Sequence, residues 1–184
     1  MEIIKKKLKK FKSDLHKRKF LSGAWFQVSD PNVVELVSKN SFDWFCFDFE
    51  HGVYNFDKLP DLLRATRINK AVTLVRTLSK NPSDISKILD LGADGIIVPK
   101  LETPAELKSI YNATYYPPKG SRGVGFSRAN MYGTEFENYR KTVNQNLILV
   151  GMIETKKGVQ NLDSILKLKL LDAIFIGPYD LSAS

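Results

Sequence analysis

Leu147-Ile148-Leu149-Val150-Gly151-Met152-Ile153-Glu154 is an apolar run that stops on a carboxylate. It is far too short to span a membrane and shows no polar alternation. It therefore reads as a strand buried on both faces, the kind found in parallel sheets. Three other runs share the form. Trp44-Phe45-Cys46-Phe47 leads into Asp48-Phe49-Glu50-His51, Val72-Thr73-Leu74-Val75 stops on Arg76, and Ala173-Ile174-Phe175-Ile176 gives way to Gly177-Pro178-Tyr179-Asp180. Parallel strands place their C-terminal ends on one rim, so a carboxylate pair, an arginine and a histidine would converge there. Barrel enzymes build their sites in this way.

Helix signals separate the runs. After a strand over 23–28, Asp30 caps a helix that has Pro31 in its first turn. A second strand covers 44–49, and Asn55 is read as the cap of a helix reaching Arg67. The third strand covers 71–77, Asn81-Pro82 opens the next helix, and Gly92 closes it as a C′ glycine. A fourth strand lies within 94–99, followed by the capping box Thr103-Pro104-Ala105-Glu106. Residues 115–133 break this rhythm with a loop rich in Gly and Pro, where one short strand is expected near Val124. Helix is expected over 135–144 and 156–168, with strands over 147–153 and 173–176. Repeated βα units imply a parallel α/β sheet of seven strands. An eight-stranded barrel normally needs about 250 residues and at least about 200. The expectation for these 184 residues is thus a (β/α)8 TIM barrel, incomplete at its C-terminal end, with an open doubly wound sheet as the alternative.

Apolar residues make up 43% of the chain and charged residues 26%, as in ordinary globular proteins. No apolar signal segment opens the sequence, and a cytoplasmic location is expected. The single cysteine, Cys46, sits in an apolar strand and is read as an inert core residue. The net charge of +8 suggests nucleic acid until it is located. Residues 1–20 hold nine Lys or Arg against Glu2 and Asp14, while the other 164 residues hold 19 basic and 18 acidic groups. The excess therefore belongs to one segment, in which Ile4, Leu8, Phe11 and Leu15 mark one face of a helix. A basic amphipathic helix (1–20) packing on a barrel domain (21–184) is the simplest reading, with the lysines in solvent and His16 among them. An arm for an anionic partner is the alternative. No membrane partner is expected and nucleic acid is disfavoured.

Glu154 and Asp180 are the candidate metal ligands. Two carboxylates, completed by water and a chelating substrate, suit Mg²⁺ or Mn²⁺, with Co²⁺ or Zn²⁺ as further options. His51 follows Asp48 by three residues, so it is either a general base oriented by that carboxylate or a loop hydrogen-bonder. Arg76 is either a structural ion pair or a clamp for a substrate oxyanion. Lys100 could form a Schiff base, but a surface lysine near Glu102 is the simpler reading. The glycine-rich 120–125 loop lacks the P-loop pattern.

Taken together, these segments resemble the HpcH/HpaI aldolase family of metal-dependent 2-oxo-acid aldolases, related to citrate lyase β-type enzymes. The marks are Phe42-Asp43-Trp44 with Asp48-Phe49-Glu50-His51, Val75-Arg76, Leu89-Asp90-Leu91-Gly92-Ala93 and Val98-Pro99-Lys100. They continue through Tyr116-Pro117-Pro118-Lys119-Gly120-Ser121-Arg122-Gly123-Val124-Gly125, Ile153-Glu154-Thr155 and Gly177-Pro178-Tyr179-Asp180-Leu181-Ser182. The resemblance implies a barrel of the phosphoenolpyruvate/pyruvate type, usually assembled as a trimer or hexamer. It also implies cleavage of a hydroxy-2-oxo acid to pyruvate, or a similar 2-oxo acid, plus an aldehyde. By position, Glu154 and Asp180 would hold the metal, and Arg76 with Gly177, Pro178 and Tyr179 would contact substrate. His51 with Asp48 would move protons, and Asp90 would help to organise the site. Many relatives carry Gln where this chain has Met152. A citrate-lyase-like enzyme acting on an acyl-CoA and a non-catalytic barrel are the alternatives.

Overall fold

A computed structural model of the chain describes residues 2–67 and 71–184, with side chains from residue 6 onward. Six strands, β1 (Gly23–Phe26), β2 (Trp44–Asp48), β3 (Val72–Arg76), β4 (Gly95–Val98), β5 (Ile148–Ile153) and β6 (Ala173–Ile176), form one parallel sheet in sequence order. The helices are α1 (Glu2–His16), α2 (Pro31–Ser38), α3 (Leu59–Thr66), α4 (Pro82–Asp90), α5 (Pro104–Thr114), α6 (Phe136–Asn146), α7 (Lys156–Gln160), α8 (Leu162–Lys167) and α9 (Pro178–Ala183). A 3₁₀ segment, Arg128–Gly133, precedes α6. This sequential parallel order is barrel-like, but the described residues contribute six strands, not the seven expected. A closed eight-stranded barrel is not seen. The missing strand is the one expected near Val124, where the loop stands clear of the sheet. A side chain added at Gly123 or Gly125 would meet nothing within 4 Å.

The sheet nevertheless curls strongly. The rings of Trp25 on β1 and Phe175 on β6 lie 5.2 Å apart, although β1 and β6 are the first and last strands. In a flat sheet, five strand spacings of roughly 4.8 Å would hold them about 24 Å apart. The curl gives each strand an inner and an outer face, and alternate residues divide between them. Phe45, Phe47, Val75, Ile96, Val98, Leu149 and Ile153 face outward into the main core, against Val34, Leu59, Leu63, Ile85, Ile88 and Leu107 of the helices. Cys46, Val72, Leu74, Ile97, Ile148, Val150 and Met152 face inward. Burial pushes the Cys46 thiol well above its ordinary pKa, as expected for an inert core residue.

Helix α1 closes the inner layer from below. Leu8 and Phe11 are buried in it, and Leu15 packs alongside. Ile4 lies outside the residues whose side chains are described. Lys12 is not solvated as expected. Its Nζ donates to the Leu147 carbonyl at 2.6 Å and pairs with Asp172 at 3.1 Å, which pins α1 to the start of β5. His16 is largely exposed but reaches Asp172 at 3.3 Å. None of the described helices is long and apolar enough to cross a membrane.

The caps at Asp30, Asn81 and Thr103 form as expected, the last as a full capping box. Gly92 adopts a left-handed φ of 101° just beyond α4. Asn55 does not cap a helix: α3 starts at Leu59, and the Asn55 carbonyl accepts from the Lys58 N–H in a preceding turn. The helix expected over 156–168 is broken at Asn161 into α7 and α8.

Candidate active site

The inner-facing row of each strand ends in a polar or small residue at the C-terminal rim. Trp44 and Cys46 lead to Asp48, Val72 and Leu74 to Arg76, Val150 and Met152 to Glu154, and Ala173 and Phe175 to Gly177. Side chains two apart share a face, so the period of the strand aims these groups at one another.

Asp48 and Arg76 are direct register partners on β2 and β3. Arg76 forks onto the carboxylate, with Nε donating to Oδ1 at 2.7 Å and an Nη to Oδ2 at 2.5 Å. Trp25 Nε1 and Gln27 Nε2 also donate to Oδ2, at 3.1 and 3.2 Å. The backbone N–H groups of Glu50 and His51 donate to Oδ1 at 3.2 and 3.1 Å. Burial alone would raise the Asp48 pKa, but these donors, Arg76 foremost, outweigh it and hold the carboxyl at about 2. Burial likewise works against the Arg76 charge, and Asp48 and then Glu50 overcome it and raise that pKa. Arg76 is 6% exposed. Its guanidinium lies 5.2 Å from the Trp25 ring centroid, and its other Nη points at Glu50 (3.2 Å) and the Met152 sulfur (3.9 Å). Arg76 is thus both an ion-pair partner and a fixed cation at the rim.

Glu154 is buried just beyond β5. Its Oε1 accepts the Lys100 backbone N–H at 2.7 Å. Burial raises its pKa, the Lys100 N–H opposes this, and the nearby charges of Glu50 and Asp180, with Asp180 accepting a hydrogen bond from the protonated Glu154, add to the rise. Asp180 is thus close enough to act on the Glu154 charge. Gly177 makes this possible. A Cβ there would stand 2.7 Å from Met152 Cε and 2.9 Å from both Cβ and Oε2 of Glu154. Its N–H donates to the Ile153 carbonyl, and Pro178 opens α9, which carries exposed Tyr179 and Asp180.

Other expected residues sit differently. His51 is exposed at the mouth, and Asp48 holds its backbone N–H and not its ring. The imidazole makes no hydrogen bond or ion pair with a described residue. The expected orienting of that ring by Asp48 is thus not what the structure contains, because the carboxylate is saturated by other donors. Asp90 is also elsewhere. It ends α4, a helix running antiparallel to the strands, and so lies toward the opposite end of the sheet, paired with Arg122. Lys100 is not beside Glu102, which pairs with Lys157. Its ammonium lies 3.8 Å from Glu50, and its own φ is +50°. Glu50, Trp25 and Gln27 are rim residues that the sequence reading passed over. Glu50 was detectable, since it stands two residues after Asp48 and repeats its parity.

Comparison with known proteins identifies the family of the fold. Residues 21–184 match the family model described as HpcH/HpaI aldolase/citrate lyase. The chain is 34% identical over 176 residues to 2-keto-3-deoxy-L-rhamnonate aldolase of Salmonella typhi, covering 95% of this chain and 66% of that protein. It is 35% identical over 179 residues to hydroxypyruvate/pyruvate aldolase of Roseobacter denitrificans, covering 96% and 70%. Among solved structures, an HpcH/HpaI aldolase/citrate lyase family protein from Burkholderia cenocepacia superposes with a TM-score of 0.90 at 28% identity, covering 95% of this chain and 71% of that one. An HpcH/HpaI aldolase from Desulfitobacterium hafniense superposes with a TM-score of 0.82 at 27% identity, covering 94% and 67%. The chain thus spans just under two thirds of the Salmonella relative. With its whole strand-and-rim region matched, it belongs to the HpcH/HpaI aldolase/citrate lyase family.

Proposed function

We propose that this chain carries the catalytic rim of a divalent-metal-dependent aldolase, a carbon–carbon lyase that cleaves a hydroxy-2-oxo acid to pyruvate, or a similar 2-oxo acid, plus an aldehyde. The observation that carries the reading is the buried Glu154 carboxylate packed against Gly177, on the same rim as the fixed Arg76, with Asp180 close enough to act on its charge.

The residues present suit a hard cation. Glu154 is buried among acidic neighbours that push it toward its neutral form, a tension that a divalent ion would relieve. Among the described residues no group of three or more His, Cys, Asp or Glu is placed to hold an ion, so a substrate and water would complete the shell around the two carboxylates. Oxygen donors favour Mg²⁺ or Mn²⁺, with Co²⁺ or Zn²⁺ as further options. When bound, such an ion supplies Lewis-acid withdrawal of electrons from the ketone of a 2-oxo acid.

The chain's own residues do the rest. Arg76 offers a preorganised positive charge to the oxygen that becomes negative as the carbon–carbon bond breaks, and one such donor contributes roughly 3 kcal/mol. Asp48 and the Trp25 ring keep that guanidinium from reorienting. His51, free at the mouth, takes the proton from the substrate hydroxyl as it becomes the aldehyde. Gly177, Pro178 and Tyr179 border the space where substrate would lie. A trimer or hexamer is the assembly we favour, in which Asp90 would serve a neighbouring subunit's site. Resemblance to the β subunit of citrate lyase from Mycobacterium tuberculosis, at 18% identity, bears on fold alone and does not favour the acyl-CoA reading.

The test is pyruvate release from a panel of hydroxy-2-oxo acids, with EDTA and with added Mn²⁺. Glu154→Ala and Asp180→Ala should abolish metal stimulation. Equal turnover in EDTA, with borohydride trapping substrate on Lys100, would refute the metal reading in favour of a Schiff base.

A further inference from the structure

A cavity lies at the other end of the sheet. Its volume is about 450 Å³, within the range of small-molecule sites. It is bounded by α1, the end of α3, the turn at Gly92, the 3₁₀ segment and α6. Asp94 and Leu147, which line it, immediately precede β4 and β5, so it is remote from the rim that holds Glu154 and Arg76. None of its lining residues lies on the edge strands β1 and β6.

Three arginines, Arg64, Arg67 and Arg128, line this cavity. Among the described residues Asp94 is the one carboxylate lining it, and that group is already engaged. Arg67 forks onto both of its oxygens at 2.9 and 3.1 Å, and the Thr73 N–H donates to one of them at 3.0 Å. Arg64 pairs with the exposed Asp61. Arg128 donates to the Leu91 carbonyl at 2.7 Å and forms no ion pair with any described residue. Its partial burial, followed by the positive charges of Arg64 and Arg67, lowers its pKa, with Tyr132 and Asp94 acting the other way, so positive charge gathers on this wall. Gly92 is what admits it. A Cβ at that position would stand 2.7 Å from the Arg128 Nη1. One more group is unmet: Asn146, 6% exposed, lines the cavity with an Oδ1 that has no hydrogen-bond partner. The remaining wall is largely apolar, with Leu8 and Val143 among its members. At the mouth, Met131 and Tyr132 are held at left-handed φ values of 54° and 55°, strained for side-chain-bearing residues.

A half-buried guanidinium that makes no ion pair with a described residue, an amide oxygen without a hydrogen-bond partner and an apolar wall together favour one ligand chemistry. We propose that this cavity binds an organic anion, a phosphate or carboxylate carried on a compact apolar body, independently of the chemistry at the opposite rim. The anion would sit between Arg128 and Arg64, the apolar body against Leu8 and Val143, and Asn146 would take a polar substituent.

Calorimetry on the full chain tests this with four probes: phenyl phosphate, benzoate, inorganic phosphate and benzyl alcohol. At least one of the two aromatic anions should bind saturably, at least about tenfold more tightly than inorganic phosphate or benzyl alcohol, because only it satisfies both walls. Whichever of phenyl phosphate and benzoate binds better identifies the head group. Arg128→Gln should weaken that binding by about tenfold or more, and Arg64→Gln, a change at an exposed side chain that leaves folding intact, by about threefold. Binding should be unchanged by Mn²⁺ and pyruvate. Absence of saturable binding by both aromatic anions at about 10 mM, or wild-type affinity in the Arg64→Gln variant, would overturn the proposal.

Discussion

Asp48→Asn isolates the interaction that fixes the rim. Six N–H groups point at this one carboxylate, two of them from Arg76. An asparagine offers one acceptor oxygen and one amide nitrogen. If the oxygen keeps the Oδ1 position, the amide faces an Arg76 Nη, Trp25 Nε1 and Gln27 Nε2. Gln27 can turn its own amide to accept, but the other two donors cannot. The guanidinium is left buried with half of its fork and without its main counter-charge, which costs about 3–5 kcal/mol. For a chain of this size the melting temperature should fall by roughly 6–20 °C. The pH dependence provides an independent measure. Asp48 moves from an ordinary 3.8 to about 2 on folding, a difference of about 2.5 kcal/mol. Because the folded pKa is depressed, this stability is present above about pH 4 and is lost as pH falls toward 2. Urea unfolding followed by circular dichroism from pH 7 to pH 2 should show this acid-side loss in the wild type and a smaller one in the variant. Asp48→Leu combined with Arg76→Met, which removes both charges, should recover much of the stability. A single Asp48→Asn variant within about 1 kcal/mol of wild type at pH 7 would refute the view that this pair organises the rim.

Gly177→Ala places a methyl 2.9 Å from the Glu154 carboxylate, about 0.5 Å inside ordinary contact, so Mn²⁺ affinity and Mn²⁺-stimulated pyruvate release should drop by between about tenfold and a hundredfold. Wild-type values on titration would show that the carboxylate is not positioned there. Glu154→Gln keeps an acceptor for the Lys100 N–H but removes a charge that Glu50 and Asp180 oppose, so thermal stability should hold or rise while the Mn²⁺ response disappears. A loss of both together would mean that Glu154 is structural. Phe11→Ala should cost about 3 kcal/mol by emptying the layer beneath the sheet. It should leave Mn²⁺ affinity within about twofold, and a larger change on calorimetric titration would mean that α1 reaches the rim.

What the sequence made legible, and what it did not, follows from the range of each signal. Strand period is local, so the inward aim of Asp48, Arg76 and Glu154 could be read from residues two apart, and the same rule would have added Glu50. Helix caps are equally local, and Asp30, Asn81 and Thr103 behave as their chemistry demands. Asn55 fails because Pro60 and the turn at 55–58 offer a later start for α3, and cap propensity alone does not choose between them. The Val124 segment fails for a different reason. A strand exists only with a partner, and no neighbouring backbone reaches this loop to pair with it.

The departures at His51 and Asp90 expose a further limit. A carboxylate three residues before a histidine predicts proximity, but it does not say which of the histidine's N–H groups the carboxylate will meet. Here the backbone meets it first, because the chain turns directly after β2 and brings two successive amides onto Oδ1. Arg76, Trp25 and Gln27 then fill what remains. A carboxylate that accepts so many donors is tuned to stay ionised and immobile, which suits an anchor for Arg76 and does not suit a proton relay. The imidazole is thereby left at the mouth, where solvent or an adjoining chain can set its tautomer. Asp90, held by Arg122 at the other end of its helix, cannot do so within one chain. The rim therefore separates into a rigid charge frame built by strand parity and a histidine that stands outside it; in the proposed reaction, any group that orients His51 would come from outside that frame. Perturbing Asp48 should change the charge frame and stability together, while perturbing His51 should change turnover and its pH profile with stability intact.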